Sequence, residues 1–422
     1  MKILVLTNLY PPHYEGGYEL HCETVVKALQ ARGHSVEVLT SDHSVAGGSP
    51  FREEGVTREL SIHGLFGHPW LGIHKLFQLE RRNNDALRKA LLRVQPELVY
   101  VWNLSGLSKS MLFTLQRTSL PRVFAVCDHW IARATKADVW LRWWNDPEAS
   151  LGTRLLRFAL TLNGNRHRSH KIAPTNPAKR LRFPRIYFCS QALREFTAAA
   201  GYNVRHGGVI YCPLKIERFT SKPKSASASM QRLLYVGRLN GDKGIMTALR
   251  AMALLRDKFP GSLSIYGRGE TEAYETTLKT FVQEQRLPVT FYSSSTPEQM
   301  PAIYAAHDAL LFTSEWPEPF ALAPLEAMAS GIPVIGTMTG GSPELFRHKE
   351  NALTYTAGSP EELAKRILEL DADPSLREQI ANTGYHEVRL RFAEPVIINQ
   401  IEEYLSETVI CWRRYCGDGI SK

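Results

Sequence analysis

EWPEPFALAPLEAMASGIPVIGTMTGGSPE, residues 315–344, is the stretch whose reading decides the fold. The apolar run ALLF at 309–312 just before it reads as a strand buried on both faces of a parallel sheet. A polar turn covers 313–319. Pro319 suits the first turn of a helix, where its missing N–H costs nothing. Residues 320–330 then have helical spacing, with Leu322, Leu325, Met328 and Ala329 as the apolar face. Gly331 is a C-cap, and Pro333-Val334-Ile335 opens the next strand. The pattern predicts a strand–turn–helix–strand unit with two carboxylates, Glu318 in the turn and Glu326 about two helical turns inside. The free N–H groups of Phe320, Ala321 and Leu322 at the open helix end suit a phosphate. A single glutamate is usually a solvated surface acid. At the carboxyl end of a parallel strand, where ligands bind, a carboxylate is a bidentate acceptor for paired sugar hydroxyls.

Working outward, the same alternation recurs on both sides. Residues 2–7 read as a buried strand, 8–18 as a turn-rich loop, 19–32 as a helix stopped by Gly33, and 35–39 as a second strand. Gly16-Gly17 stands in that first strand-to-helix connection, where glycine lets backbone approach a phosphate. The pair is not G-x-G-x-x-G, so it does not indicate a dinucleotide, and alone it is equally a plain turn. Glu19 and His21 face either the crevice or solvent. A strand within 51–63, a helix at 76–94, a strand at 97–102, a helix at 104–117 and a strand at 122–127 follow, ending in Cys127-Asp128-His129-Trp130. Such βα alternation implies right-handed parallel units. Residues 221–229, SKPKSASAS, read as a linker.

Beyond the linker, a strand at 233–236 runs into Gly237-Arg238-Leu-Asn-Gly-Asp-Lys243-Gly244 and a helix reaching about 259. An arginine fork and a lysine point charge flanking a glycine-rich turn suit a diphosphate. The strand at 262–266 ends in Gly267-Arg268-Gly269-Glu270. Further strands fall at 289–292 and 309–312, and helices at 360–370, 374–391 and 395–406.

Bulk properties set limits. The chain has 422 residues, enough for two ordinary domains, with 44% hydrophobic and 22% charged residues. No apolar run approaches the roughly 20 residues that span a bilayer, and no cleavable leader opens the chain, so a cytoplasmic enzyme is expected. The six cysteines are scattered and read as reduced core residues. No zinc or EF-hand spacing occurs. Asp371-Ala-Asp373 imitates a metal-binding pair but lies near a helix end, away from the site, so no metal is expected.

Glu318-Pro-Phe…Glu326-Ala-Met, Gly331-x-Pro-Val and Gly340-Gly341…Glu344 together resemble the two-glutamate donor motif of family-4 retaining glycosyltransferases, and the likeness extends over nearly the whole chain. Ala321 stands where many relatives have glycine. The resemblance implies the GT-B fold: two Rossmann-like α/β domains facing across a cleft, with the C-terminal helix crossing back to the first. It divides the chain into an acceptor-side domain at 1–215, a nucleotide-sugar domain at 216–392, and a crossover helix with a basic tail at 393–422. It implies that Gly16 and Gly17 close on the donor diphosphate, which Arg238, Lys243 and the helix end at Phe320, Ala321 and Leu322 hold. Gly267 and Gly269 line the base, Glu326 takes the ribose and Glu318 the transferred sugar. Many relatives have His-Asp where this chain has Cys127-Asp128, with His129 following; Asp128 and His129 are expected beside the reacting sugar or the acceptor. The donor is then a substrate, with no separate cofactor. Glucose-, galactose-, mannose- and rhamnose-like donors all remain compatible. An epimerase of similar fold and a non-catalytic sugar-nucleotide-binding protein are the alternatives.

The segment 131–186 is the irregular part. It holds twelve lysines and arginines against three acids, a surplus of nine that equals the net charge of the whole chain. Trp140, Trp143 and Trp144 precede a stretch in which Leu151, Leu155, Leu156, Phe158 and Leu162 share much of a helical face flanked by Arg154 and Arg157. Aromatic residues among basic ones suggest a peripheral contact with an anionic membrane surface, and with it a glycan or lipid-linked acceptor in cell-surface glycan or glycolipid synthesis. The competing reading is a self-contained insertion whose tryptophans are buried and whose arginines pair internally. Nucleic acid is not an expected partner.

Overall fold

The computed structural model describes residues 1–44, 53–223, 229–293 and 295–417, with the backbone alone at 134, 135, 137 and 415–417. The expectations for residues 51–52, for 224–228 of the linker and for the end of the tail lie outside the described residues. Two compact units emerge, residues 1–210 with 398–422, and residues 211–397.

The first unit holds β1 (Lys2–Leu6), β2 (Ser35–Ser41), β3 (Val56–Leu60), β4 (Leu98–Val101), β5 (Arg122–Val126), β6 (Ile186–Phe188) and β7 (Gly208–Val209). The order is β3-β2-β1-β4-β5-β6-β7, and every pairing is parallel. β4 and β5 are buried at every position, which is why, Arg122 apart, their sequences run apolar without alternating. The chain leaves β1 for β2 on one side and later returns to β4 on the other, so the ends of β1 and β4 form the switch point.

The second unit holds β8 (Arg232–Val236), β9 (Ser262–Tyr266), β10 (Val289–Tyr292), β11 (Ala309–Phe312), β12 (Val334–Thr337) and β13 (Leu353–Tyr355). The order β10-β9-β8-β11-β12-β13 is again all parallel, with the switch between β8 and β11. Leu233, Ile265, Leu311 and Ile335 from four neighbouring strands belong to its core.

Several boundaries differ from the sequence reading, each for a local reason. The division between units falls at 210/211 and 397/398, not after 215 and 392. The Ile210 N–H still pairs with the Phe188 carbonyl at 3.0 Å, whereas Leu214 is tied to Phe392 and Glu394 by bonds of 2.8 and 2.9 Å. The last helix, Glu394–Gly417, therefore starts in the second unit and joins the first from residue 398. There Arg32 and His34 pair with Glu402 at 2.6 and 2.7 Å, and the Tyr404 hydroxyl donates to the Ile186 carbonyl at 2.9 Å. The helix expected at 104–117 forms only over Ser110–Gln116. Gly106 is left-handed, at φ +76°, and a Cβ there would come within 2.6 Å of Ile62. The segment after β5 is built of the helices Trp130–Ala137, Val139–Asn145, Leu151–Leu162 and Asn165–Ile172.

Candidate functional site

In the second unit two of the expected donor residues, Lys243 and Glu318, meet at the switch point. The loop after β8 and the loop after β11 are stitched together by backbone bonds. Glu315 and Trp316 donate to the Asp242 carbonyl at 2.8 and 3.0 Å, and the Thr313 hydroxyl donates to the Lys243 carbonyl at 2.8 Å. The approach requires glycine at 244, where φ is +65° and a Cβ would stand 1.9 Å from the Thr313 carbonyl oxygen. This brings the Lys243 ammonium into an ion pair with Glu318 Oε1. The Ser314 hydroxyl donates to the same oxygen at 2.9 Å. The backbone of Glu318 is fixed in turn, since its carbonyl accepts from Gly341 N–H at 2.7 Å. Arg238 lies exposed on the same loop as Lys243.

The helix is Leu322–Ala329, with Ala321 as N-cap. It is shorter than 320–330, so Pro319 precedes it and Glu326 lies about one turn inside, not two. Phe320 is taken out of the helix by its ring, which stacks on Tyr211 at 5.2 Å. Alanine offers no capping side chain, and the first-turn N–H groups are left for an anion. Glu326 Oε2 accepts a 2.8 Å bond from the hydroxyl of fully buried Tyr304. Burial pushes the Glu326 carboxyl up to about 6, against that bond and the charge of Arg218. Gly267 fits beneath the β8 loop because a Cβ would be 1.9 Å from the Gly237 carbonyl oxygen. Gly269 N–H donates to Glu275 at 3.2 Å. Beside them opens a cavity of about 410 Å³ lined by Leu239, Gly267, Arg268, Phe291 and Tyr292. Tyr266 and Tyr292 stack there, 4.5 Å apart and 8° from parallel.

In the first unit, Gly16 is the N-cap of the helix Gly17–Ala31, and its N–H donates to the Glu19 carboxylate at 3.1 Å. The Tyr18 hydroxyl reaches the Ala125 carbonyl at 2.6 Å, pinning this turn to the end of β5. Burial pushes Glu19 up to about 7, with Asp128 and Glu15 adding to the rise. Asp128 is raised by burial as well, opposed by the Trp130 N–H and by Asn103, whose amide donates to it at 3.1 Å. The buried His21 ring stands 3.7 Å from Cys127 Sγ and edge-on to Trp102 at 5.0 Å.

His129 follows Asp128 directly in the chain. It is buried with its ring edge-on to Phe196 of the helix Gln191–Ala199, 4.5 Å between centroids. The imidazole beside Cys127 is His21, which the sequence reading left open between crevice and solvent. Asn103, Ser314 and Tyr304 went unread as partners of Asp128, Glu318 and Glu326. Asn103 follows a strand end and was within reach of that reading; Tyr304 gives no local signal, because its partner lies 22 residues on.

Residues 15–218 match the family model Glycosyltransferase Family 4, and residues 217–387 match Glycosyl transferases group 1, so the two matches run on without a gap. Spore coat protein SA of Bacillus subtilis is 29% identical over 167 residues, 38% of this chain and 44% of the relative. The chain spans under half the length of the first curated relatives it matches (44%, 41% and 45%). Among solved structures, sucrose-phosphate synthase from Thermosynechococcus elongatus superposes with a TM-score of 0.72 at 19% identity, over 97% of this chain and all of that one. An Anabaena protein, Alr3699/HepE, solved with UDP and glucose, gives 0.66 at 22% identity, over 96% of this chain and all of its own. These likenesses establish the GT-B fold.

Proposed function

The chain belongs to the glycosyl transferases of group 1 and family 4, and from that premise we propose that it moves a hexosyl group from a nucleoside-diphosphate sugar to an acceptor hydroxyl with retention of anomeric configuration. The observation that supports this most is the meeting of Lys243, Glu318 and an uncapped helix end at the switch point of the second sheet. Negative charge builds on the diphosphate as the glycosidic bond breaks. Arg238, Lys243 and the N–H groups around Leu322 stabilise that charge from fixed positions, the largest kind of catalytic contribution. They supply it without a metal ion, so turnover should survive EDTA. Glu326 holds the ribose hydroxyls and Glu318 a hydroxyl of the sugar. Stacked tyrosines beside Gly267 offer a flat platform for the base. Asp128 and Glu19 of the first unit bind acceptor hydroxyls. The Anabaena neighbour solved with UDP and glucose supports a donor of this kind.

The test is incubation with a panel of nucleotide sugars, followed by product analysis. Free nucleoside diphosphate with a new glycoside of the donor's anomeric configuration is the expected result. An epimerised nucleotide sugar would reassign the chain as an isomerase, an inverted glycoside would refute retention, and tight binding without turnover would make it a binding protein.

A further inference from the structure

The helix Leu151–Leu162 is apolar on the wrong side for a folded protein. It buries no residue. At 100° per residue, Leu151, Leu155, Phe158 and Leu162 fall within an arc of about 60°. They are 71%, 60%, 63% and 70% exposed. The half-covered positions Thr153, Arg157 and Leu160 lie on the opposite arc, so the stripe points away from the body of its own unit. A contiguous exposed apolar stripe of this kind marks an interaction surface.

Charge decides the partner. From 149 to 194 there is no acidic residue, against ten lysines and arginines. Arg154 is exposed at the edge of the stripe, and Arg168, Lys171, Lys179, Arg180 and Arg182 are exposed on the segment that follows. A second copy meeting this surface about a two-fold axis would press the same basic segment against itself. An anionic lipid surface offers both an apolar interior and the opposite charge. We propose that Leu151–Leu162 lies in the interface of an anionic membrane, its leucine stripe among the acyl chains and its arginines at the headgroups. No helix among the described residues is long and apolar enough to cross a membrane, and a helix lying flat needs no such length.

The parts of the segment that do this differ from those the sequence suggested. Trp140 and Trp144 are buried. Arg157 donates to the Asp146 carbonyl at 2.7 Å and lies over the Trp143 ring, while Arg166 lies over Trp144. The tryptophans and these two arginines form the packed base of the insertion, and the leucine stripe stands on it.

Flotation of the full chain with vesicles tests the proposal, using phosphatidylcholine alone or with about one-third phosphatidylglycerol. Binding should require the anionic lipid and fall at least tenfold at high salt. L155E together with F158E changes only exposed positions and should lower vesicle affinity by at least about 100-fold, with the melting temperature unchanged. R154Q, R168Q and K171Q combined should cost about 100-fold, near fivefold per charge. No binding to anionic vesicles, equal binding to phosphatidylcholine alone, or full binding by L155E/F158E would each overturn the proposal. So would lipid-free dimers dispersed by that variant without any vesicle binding, which would make a second copy the partner. These outcomes are independent of transfer activity.

Discussion

Gly244→Ala is a sharp test of how the donor site is assembled. Gly244 sits at φ +65°, where an alanine costs roughly 1–2 kcal/mol from its own backbone alone. Its Cβ would lie 1.9 Å from the Thr313 carbonyl oxygen, and ordinary contact begins at 3.4 Å, so the two loops must separate by about 1.5 Å. Thr313 is the residue whose hydroxyl clasps the Lys243 carbonyl, and Glu318 follows it by one turn of loop. The displacement therefore falls on the Lys243–Glu318 pair and not on the core strands behind it. A 1 Å misplacement of a catalytic group can cost 10²-fold in rate. The variant should stay folded, lose more than about 1–2 kcal/mol of stability by thermal or urea unfolding, and fall at least 100-fold in kcat with any donor that the parent accepts. A folded Gly244→Ala variant with unchanged kcat would show that the close approach of these loops does not set the geometry of transfer.

Replacing Arg238 or Lys243 with alanine should weaken nucleoside-diphosphate binding by about 1.5–3 kcal/mol each in calorimetry, and unchanged affinity in both would remove them from the diphosphate. Glu326→Gln should weaken free nucleotide and sugar nucleotide alike, whereas Glu318→Gln should lower turnover and spare the free nucleotide, which lacks the sugar. Because burial raises Glu326 to about 6, its carboxylate is present above that pH; nucleotide affinity should drop as the pH falls through 6, and Glu326→Gln should abolish that drop. Glu80, fully buried with the Ser110 hydroxyl on its Oε2, is pushed up to about 8 by burial, while the unfolded chain releases this proton near 4.5. Stability is thus lost as the pH rises from 4.5 to 8, and Glu80→Gln should gain on the parent between pH 5.5 and 8.5 in melting temperature; a constant difference would refute the assignment.

What could be read from the sequence follows the range of the forces involved. β8 and β11 announce themselves because a strand buried on both faces must be apolar throughout, and Gly244 after β8 because close approach of backbones admits nothing larger. Arg238, Lys243, Glu318 and Glu326 were legible by their place after those strands. Their partners were not. Tyr304 meets Glu326 only through tertiary packing, and Ser314 is one unremarkable hydroxyl in a polar turn. The helix start moved from 320 to 322 because the Phe320 ring finds Tyr211 and Phe392, a contact that local propensity cannot register. The packing of His129 was equally out of reach: position in a motif says nothing of a neighbouring helix, and its ring lies edge-on to Phe196. The tryptophans of 140–144 looked like a surface because they stood among basic residues, yet arginine stacked on indole is also how such residues pack inward.

The Lys243–Glu318 pair joins two tasks that the sequence presents as separate. A lysine ammonium has three donors and no acceptor. One is engaged by Glu318, leaving two directions for diphosphate oxygens. Glu318 in turn has one oxygen held by Lys243 and Ser314, which fixes the carboxylate plane and aims the other. On the proposed reading, the lysine assigned to the leaving group is thus also the residue that orients the acid assigned to the sugar. We propose that phosphate and sugar recognition are coupled through this one ammonium group, so that a donor lacking either part meets a site whose other half is less well ordered. That coupling favours a whole nucleotide sugar over its fragments, and it gives the spacing of Lys243 and Glu318 a purpose that neither charge has by itself.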